Sequence, residues 1–265
     1  SDLSYTAELG KIRAFLLLML YSIRRCGCLG ADLLYICGYV NWEANEMKRN
    51  KNKYIKEFVD YCLQSGYSEG LFLNERNVDE YVETSVDAYN GYPLFLDVFN
   101  GGYDAKTYMR MLRVDFKSRL GKTLGIATDN YESVLLFEPP EVPKTGMIQY
   151  LKTADMSSIP LFFKPATVRL DSFEKYALKK RKAYLDDKTW YIYIFTTKKA
   201  YQRQGYGRKL MNLLLSFAKE RGYRLCLETN LAANIKLYES FGFNLMDSSF
   251  YKGRLEHYVM LYGNR

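Results

Sequence analysis

The chain has 265 residues and a formal charge of +8, with 38 Lys and Arg against 30 Asp and Glu, and 48% of its residues are hydrophobic. That apolar fraction supports a sizeable core and excludes a globally disordered chain. The basic balance favours polyanionic partners by long-range attraction, yet no nucleic-acid-binding fingerprint accompanies it. Five cysteines, an odd number in a long chain without a secretory pattern, read as reduced thiols in the cytoplasm. Cys26-Gly27-Cys28 lacks the second pair that a zinc site needs, so no metal is expected.

In chain order, Leu9, Ile12, Leu16, Leu20 and Ile23 recur at helical spacing, and residues 5–38 read as helical. The run from Ala14 to Tyr21 falls well short of the ~20 apolar residues of a spanning helix, so a buried helix and no membrane are expected. The charged stretch Glu46 to Lys56 reads as a solvated face or loop. Tyr54, Phe58, Tyr61 and Cys62 predict a further amphipathic helix ending near Gly66. Residues 1–75 are therefore expected to form a helical N-terminal extension or small domain, and 76–265 the main domain.

Asn77, with Glu80 three residues on, predicts a capping box for a helix through Val78, Tyr81, Val82, Val86 and Tyr89, stopped by Gly91 and Pro93. A short apolar turn over Leu94 to Phe99 follows. Asp104 caps a helix carrying Tyr108, Met111, Leu112 and Phe116 that ends at Gly121. Strands Thr123 to Ala127 and Ser133 to Phe137 flank a turn at Asp129-Asn130. Five of the six prolines fall between Pro139 and Pro165, a loop-rich region with a short helix near Met147 to Leu151. Asp171 to Leu185 is the next predicted helix, and its Lys179-Lys180-Arg181-Lys182 cluster reads as a solvated face. Then come a strand at Trp190 to Thr197, a helix at Gly207 to Arg221 ended by Gly222, and a strand at Arg224 to Thr229. A short helix at Ala232 to Phe241 and strands at Phe243 to Met246 and His257 to Tyr262 close the chain. This order implies an α/β (α+β) architecture, a mixed sheet with helices packed on its faces.

The chemistry concentrates after the strand ending at Thr197. Gln202-Arg203-Gln204-Gly205-Tyr206-Gly207 leads from that strand into a helix, placing N–H groups from Arg203 to Arg208 where a diphosphate can sit. Gly205 and Gly207 let the backbone approach closely, and Arg203, Arg208 and Lys209 add positive charge. A Rossmann site needs G-x-G-x-x-G, and its first glycine is replaced by Gln202. Further on, Asn234 and Tyr238 are four apart and share one helix face.

The Gln202 to Gly207 loop, Leu227-Glu228-Thr229-Asn230 and the N-x-x-x-Y…G-F pattern from Asn234 to Phe243 together resemble the GNAT superfamily of N-acetyltransferases. The Tyr92-Pro93-Leu94-Phe95 break, Pro139-Pro140 and Thr189-Trp190-Tyr191-Ile192 are similar to its puromycin N-acetyltransferase-like branch. The resemblance implies a mostly antiparallel sheet with splayed strands, the GNAT fold, and acetyl-CoA as acyl donor. It implies that Phe195, Thr196 and Thr197 pair with the pantetheine arm through the main chain. Gln202, Arg203, Gln204, Gly205, Tyr206, Gly207 and Arg208 would hold the pyrophosphate, and Asn234 would bond the CoA arm. Tyr238 would lie near the sulfur as general acid, since a phenol of pKa about 10 can protonate a departing thiolate. Glu228, at the carboxyl end of a central strand, is the candidate base or ammonium-binding group, and desolvation is expected to raise its pKa. His257, the only histidine, reads as structural. Direct attack in a ternary complex needs no nucleophilic Ser or Cys. The acceptor would be a small-molecule or peptide amine, its class left open by Lys198-Lys199, which replace the acidic or Pro residues usual after this strand. Two other readings stand beside this one: a GNAT-like acyl-CoA sensor or protein-interaction module of weak activity, and a role for residues 1–75 in protein or nucleic-acid contact.

Overall fold

The computed structural model describes residues 53–140 and 156–263. The helices expected over 5–38 and near 147–151 lie outside the described residues. Seven helices appear among the described ones: α1 (53–64), α2 (Val78–Tyr89), α3 (Pro93–Val98), α4 (Ala105–Arg119), α5 (Pro165–Arg181), α6 (Tyr206–Arg221) and α7 (Ala233–Glu239). The strands are β1 (Leu124–Ala127), β2 (Ser133–Glu138), β3 (Thr189–Thr197), β4 (Arg224–Thr229), β5 (Phe243–Tyr251) and β6 (Leu255–Tyr262). They form one sheet in the order β1-β2-β3-β4-β6-β5, antiparallel throughout except for the parallel β3–β4 pair. This is the mixed, mostly antiparallel α/β architecture expected. No helix among the described residues is long and apolar enough to cross a membrane.

Each face of the sheet has its own core. On one face Phe58 and Cys62 of α1, Leu214 and Phe217 of α6 and Tyr238 of α7 pack over Phe137, Trp190 and Leu227. On the other, Tyr81 and Val82 of α2, Phe116 of α4 and Phe173 of α5 pack over Val134, Leu136 and Ile194. Trp190 is the hub of the first core, fully buried with its ring against Phe58, Phe137, Phe217, Tyr54 and Tyr223. The segment before residue 75 shares this sheet. Tyr67 Oη donates to the Ala127 carbonyl at 2.7 Å, and Leu73 N donates to the Gly125 carbonyl at 3.0 Å beside β1. A Cβ at Gly125 would lie 2.5 Å from Leu73 Cβ, so only glycine admits this close strand-edge contact.

Local signals explain most boundaries. Asp104 Oδ1 accepts from Thr107 N at 2.9 Å, the cap read from the sequence. The capping box at Asn77 does not form: Asn77 Oδ1 accepts from Asn74 N and its amide donates to the Gly70 and Phe72 carbonyls. The preceding turn outcompetes the helix for that side chain. Helix α5 starts at Pro165 rather than Asp171, because proline at the first helical position presets φ and needs no donor. Strand β5 continues to Tyr251 rather than stopping at Met246. It is an edge strand, paired only with β6 and exposed along most of its length, so no apolar alternation announces it.

Candidate active site

The sheet opens between its two parallel strands. Strand β3 pairs with β4 from Thr189↔Arg224 to Ile192↔Leu227, and there the pairing ends. Beyond that point β3 stays with β2 through Thr197, while Glu228 and Thr229 of β4 stay with β6. Residues 193–197 thus turn one main-chain edge toward a fork rather than toward a neighbour. A bulge starts the divergence: Leu136 faces Ile194 and Phe137 faces Ile192, so Tyr193 is the extra residue that bends β3. Phe195, Thr196 and Thr197 all lie on this open arm. Thr197 Oγ1 is 3.0 Å from Ser133 Oγ, and Thr196 is buried beside Ser85.

The loop after β3 sets the end of α6 beside that arm. Gln202 donates its amide to the Thr197 carbonyl at 3.2 Å, and Gln204 donates to the Ala200 carbonyl at 2.9 Å. Arg203 at φ 64° and Gly205 at φ 90° turn the chain into the helix, a left-handed conformation that glycine adopts freely. Lys209 N makes the first intrahelical bond, to the Gly205 carbonyl, so the N–H groups of Tyr206, Gly207 and Arg208 are the free donors of the helix start. Gly207 is packed against the strand: a Cβ there would lie 3.0 Å from both Phe195 Cζ and Thr197 Oγ1. The loop and the first turn of α6 are mostly exposed, with Arg203, Arg208 and Lys209 on the surface. Bare backbone, free donors and positive charge suit a diphosphate.

Phe195 also reaches the second expected group. Its ring centroid is 6.4 Å from that of Tyr238, which rests on Phe243 at 6.0 Å. The glycine-relieved turn and the phenol therefore flank one aromatic side chain. Burial pushes the Tyr238 phenol above its ordinary range, and Tyr92 adds to the rise. Asn234 donates to Thr229 Oγ1 at 3.1 Å, the same oxygen that lies 3.1 Å from Tyr92 Oη. Tyr92 Oη in turn accepts from Asn230 N at 2.7 Å. The tyrosine of the α2–α3 corner thereby ties α3 to the end of β4.

Glu228 follows the last β3–β4 pair, on the sheet face covered by α5. Its Oε2 accepts from Arg181 at 2.8 Å and from the Tyr191 hydroxyl at 2.7 Å. His257 Nε2 approaches Oε1 at 3.2 Å in a poorly aligned geometry that leaves neither atom a well-formed hydrogen bond. The expected raised pKa is corrected here. Burial does push the carboxyl up, but His257, the Arg181 charge and the Tyr191 hydroxyl outweigh it and hold Glu228 below the usual carboxylate range.

Several residues of this region escaped the sequence reading. Arg181 belongs to a basic cluster expected to be solvated, yet its side chain is only 12% exposed and its guanidinium stacks 4.4 Å over the Tyr191 ring. One strand step away Arg119 stacks over Tyr193, whose hydroxyl donates to Asp115 at 2.8 Å. Glu174, seven residues before Arg181 on α5, also lies at this face. The one signal was helical spacing: 174, 177 and 181 fall on one face, and Ala177 is buried.

Residues 167–243, from α5 to the start of β5, match the model of the Acetyltransferase (GNAT) family. A search of curated proteins finds no match. Among solved structures, the C-terminal condensation domain of Ebony, in complex with beta-alanyl-dopamine, is 11% identical with a TM-score of 0.52, covering 72% of this chain and 95% of that one. The ribosomal-protein-S18-alanine N-acetyltransferase of Escherichia coli is 17% identical with a TM-score of 0.40, over 72% and 89% of the two chains. Arylalkylamine N-acetyltransferase 2 of Aedes aegypti is 15% identical with a TM-score of 0.46, over 72% and 97%. At these identities the likeness to the Ebony domain speaks for the fold; residues 167–243 carry the likeness to the GNAT acetyltransferase family, which makes the chain an acyltransferase.

Proposed function

We propose that the protein transfers an acetyl group from acetyl-CoA to a primary amine by direct attack within a ternary complex. The observation that carries this reading is the fork between β3 and β4, with the Gly207 turn and Tyr238 on either side of Phe195. The residues fit the donor. Gly207 leaves a cradle that a Cβ would fill, the N–H groups of Tyr206 to Arg208 and the guanidiniums of Arg203 and Arg208 suit its pyrophosphate, and the open main chain of 193–197 suits its pantetheine amides. When bound, acetyl-CoA supplies the acyl group as a reactive thioester.

Tyr238, a phenol protonated at neutral pH and kept so by burial, would give its proton to the departing sulfur and recover one from the newly acylated nitrogen. Asn234 reaches the arm of the donor from the same helix face. Glu228, held ionised by Arg181, Tyr191 and His257, contributes a fixed negative charge at the fork that draws in the ammonium, and the attack is made by the amine once it has lost one proton to solvent. The branch similar to puromycin N-acetyltransferases is kept through the Tyr92 corner, and a small-molecule or peptide amine is the acceptor. Residues 1–75 are proposed as an extension whose part from residue 53 onward helps to build the core of the sheet. The buried free thiols Cys62 and Cys226 suit a reducing compartment, and the cytoplasm is the proposed location.

Tyr238→Phe tests the acid role. It should lower kcat about 100-fold with little change in acetyl-CoA affinity, read from initial rates and calorimetry. Unchanged kcat would remove Tyr238 from the reaction. Binding of acetyl-CoA without turnover of any amine in the wild-type protein would favour the sensor instead.

A further inference from the structure

The geometry points to a further catalytic residue, Tyr92, whose hydroxyl donates to the carbonyl oxygen of the bound thioester and stabilises the charge that builds there during attack. This role rests on the acetyl-transfer reading of the fork. Thr229 Oγ1 accepts from Asn234 Nδ2 at 3.1 Å and from Leu231 N at 3.3 Å, which fills both of its lone pairs. Its own proton therefore goes to the one partner left, Tyr92 Oη at 3.1 Å. Tyr92 Oη also accepts from Asn230 N at 2.7 Å, so its two lone pairs are filled as well. The Tyr92 proton is left over, and it has no acceptor among the described residues. Moving the spare proton to Thr229 would strand it, because Thr229 is 1% exposed and its oxygen would then have to accept three bonds. Tyr92 is only partly buried, so its proton has somewhere to point.

That hydroxyl stands at the fork. Asn234 comes from α7, which packs on the Trp190 face of the sheet, whereas Tyr92 packs on the opposite face with α2 and α3. Side chains from the two faces reach one oxygen because the sheet is open there: Thr229 lies beyond Leu227, the last β4 residue paired with β3. Asn234 and Tyr238 are one turn apart on one helix face. A thioester whose arm meets Asn234 and whose sulfur meets Tyr238 brings its carbonyl to the Tyr92 hydroxyl. Burial keeps this phenol protonated, outweighing the two bonds it accepts. As the amine nitrogen bonds to the carbonyl carbon, the π pair moves onto the oxygen. The Tyr92 O–H, already oriented by its two accepted bonds, tightens its hydrogen bond to that oxygen and keeps its proton. The pair returns as the C–S bond breaks, and the sulfur leaves with its electrons and the Tyr238 proton.

The test reads the carbonyl stretch of acetyl-CoA bound to the full chain, by isotope-edited infrared spectroscopy, together with kcat. The band should lie lower in wild type than in Tyr92→Phe, because a donor to the oxygen weakens the C=O bond. Tyr92→Phe should lower kcat about 100-fold, as removal of one oxyanion donor does, with acetyl-CoA affinity changed far less. Tyr92→fluorotyrosine keeps the ring and hydroxyl in place and strengthens the donor, so it should move the band further down, a readout that holds even if Tyr92→Phe folds poorly. A band at the same position in wild type and both variants would overturn the inference, as would a kcat of Tyr92→Phe within about threefold of wild type. Those results in a wild type that binds acetyl-CoA and acetylates amines overturn the role of Tyr92 alone. A wild type that binds no acetyl-CoA overturns it together with the acetyl-transfer reading.

Discussion

The two halves of β3 lie in one strand and do opposite work. Residues 189–192 all pair with β4, Tyr191 and Ile192 pair with β2 as well, and Trp190 packs among five aromatic neighbours. Residues 194–197 pair on one side only, with β2, and their free edge faces the fork. The difference is the single extra residue at Tyr193, which bends the strand, and Glu228, whose side chain is tied to α5 and to Tyr191 below the point of divergence. A closed half fixes the geometry that an open half needs. Backbone groups left unpaired in a sheet cost free energy unless water or a ligand satisfies them, so an open edge persists only when its base is held firmly.

The largest expected effect lies in the closed half. Trp190→Ala should destabilise the fold by about 3–5 kcal/mol, because a fully buried indole leaves a cavity among five aromatic neighbours. Denaturant titration checks this, and the fraction that remains folded should bind acetyl-CoA with nearly normal affinity. A loss under 1 kcal/mol would mean that the base of the fork is held elsewhere.

A smaller effect separates the halves in the other direction. Gly207→Ala should weaken acetyl-CoA binding about tenfold while shifting the melting temperature by only a few degrees. The added Cβ meets Phe195 and Thr197 at 3.0 Å and pushes the turn off the open arm, while alanine is the better residue inside a helix. Unchanged affinity would show that the close approach of the turn to β3 is incidental.

How legible this was from the sequence follows the same division. The helix and strand order, the glycine turn and the Asn234–Tyr238 spacing depend on local periodicity and on short motifs, and among the described residues the order matches the reading, with α5 beginning earlier at Pro165 and β5 running on to Tyr251. The bulge at Tyr193 left no trace, since it is a register shift between β2 and β3 that side-chain type does not encode. The charged face was hidden for a different reason. Arg181 sits among three lysines in sequence, and its burial against Tyr191 and its bond to Glu228 arise only from tertiary packing. The fate of Glu228 turned on the same tertiary partners. Burial alone predicts a raised carboxyl, and three neighbours reverse the sign.

The most direct measurement is a crystal structure of the full chain with CoA. It should place the pyrophosphate oxygens within hydrogen-bond distance of the N–H groups of Tyr206, Gly207 and Arg208, with the pantetheine amides paired to the main chain of 193–197 and the sulfur beside Tyr238. CoA seated elsewhere on the surface, or a fork closed by continued β3–β4 pairing beyond Ile192, would contradict the account.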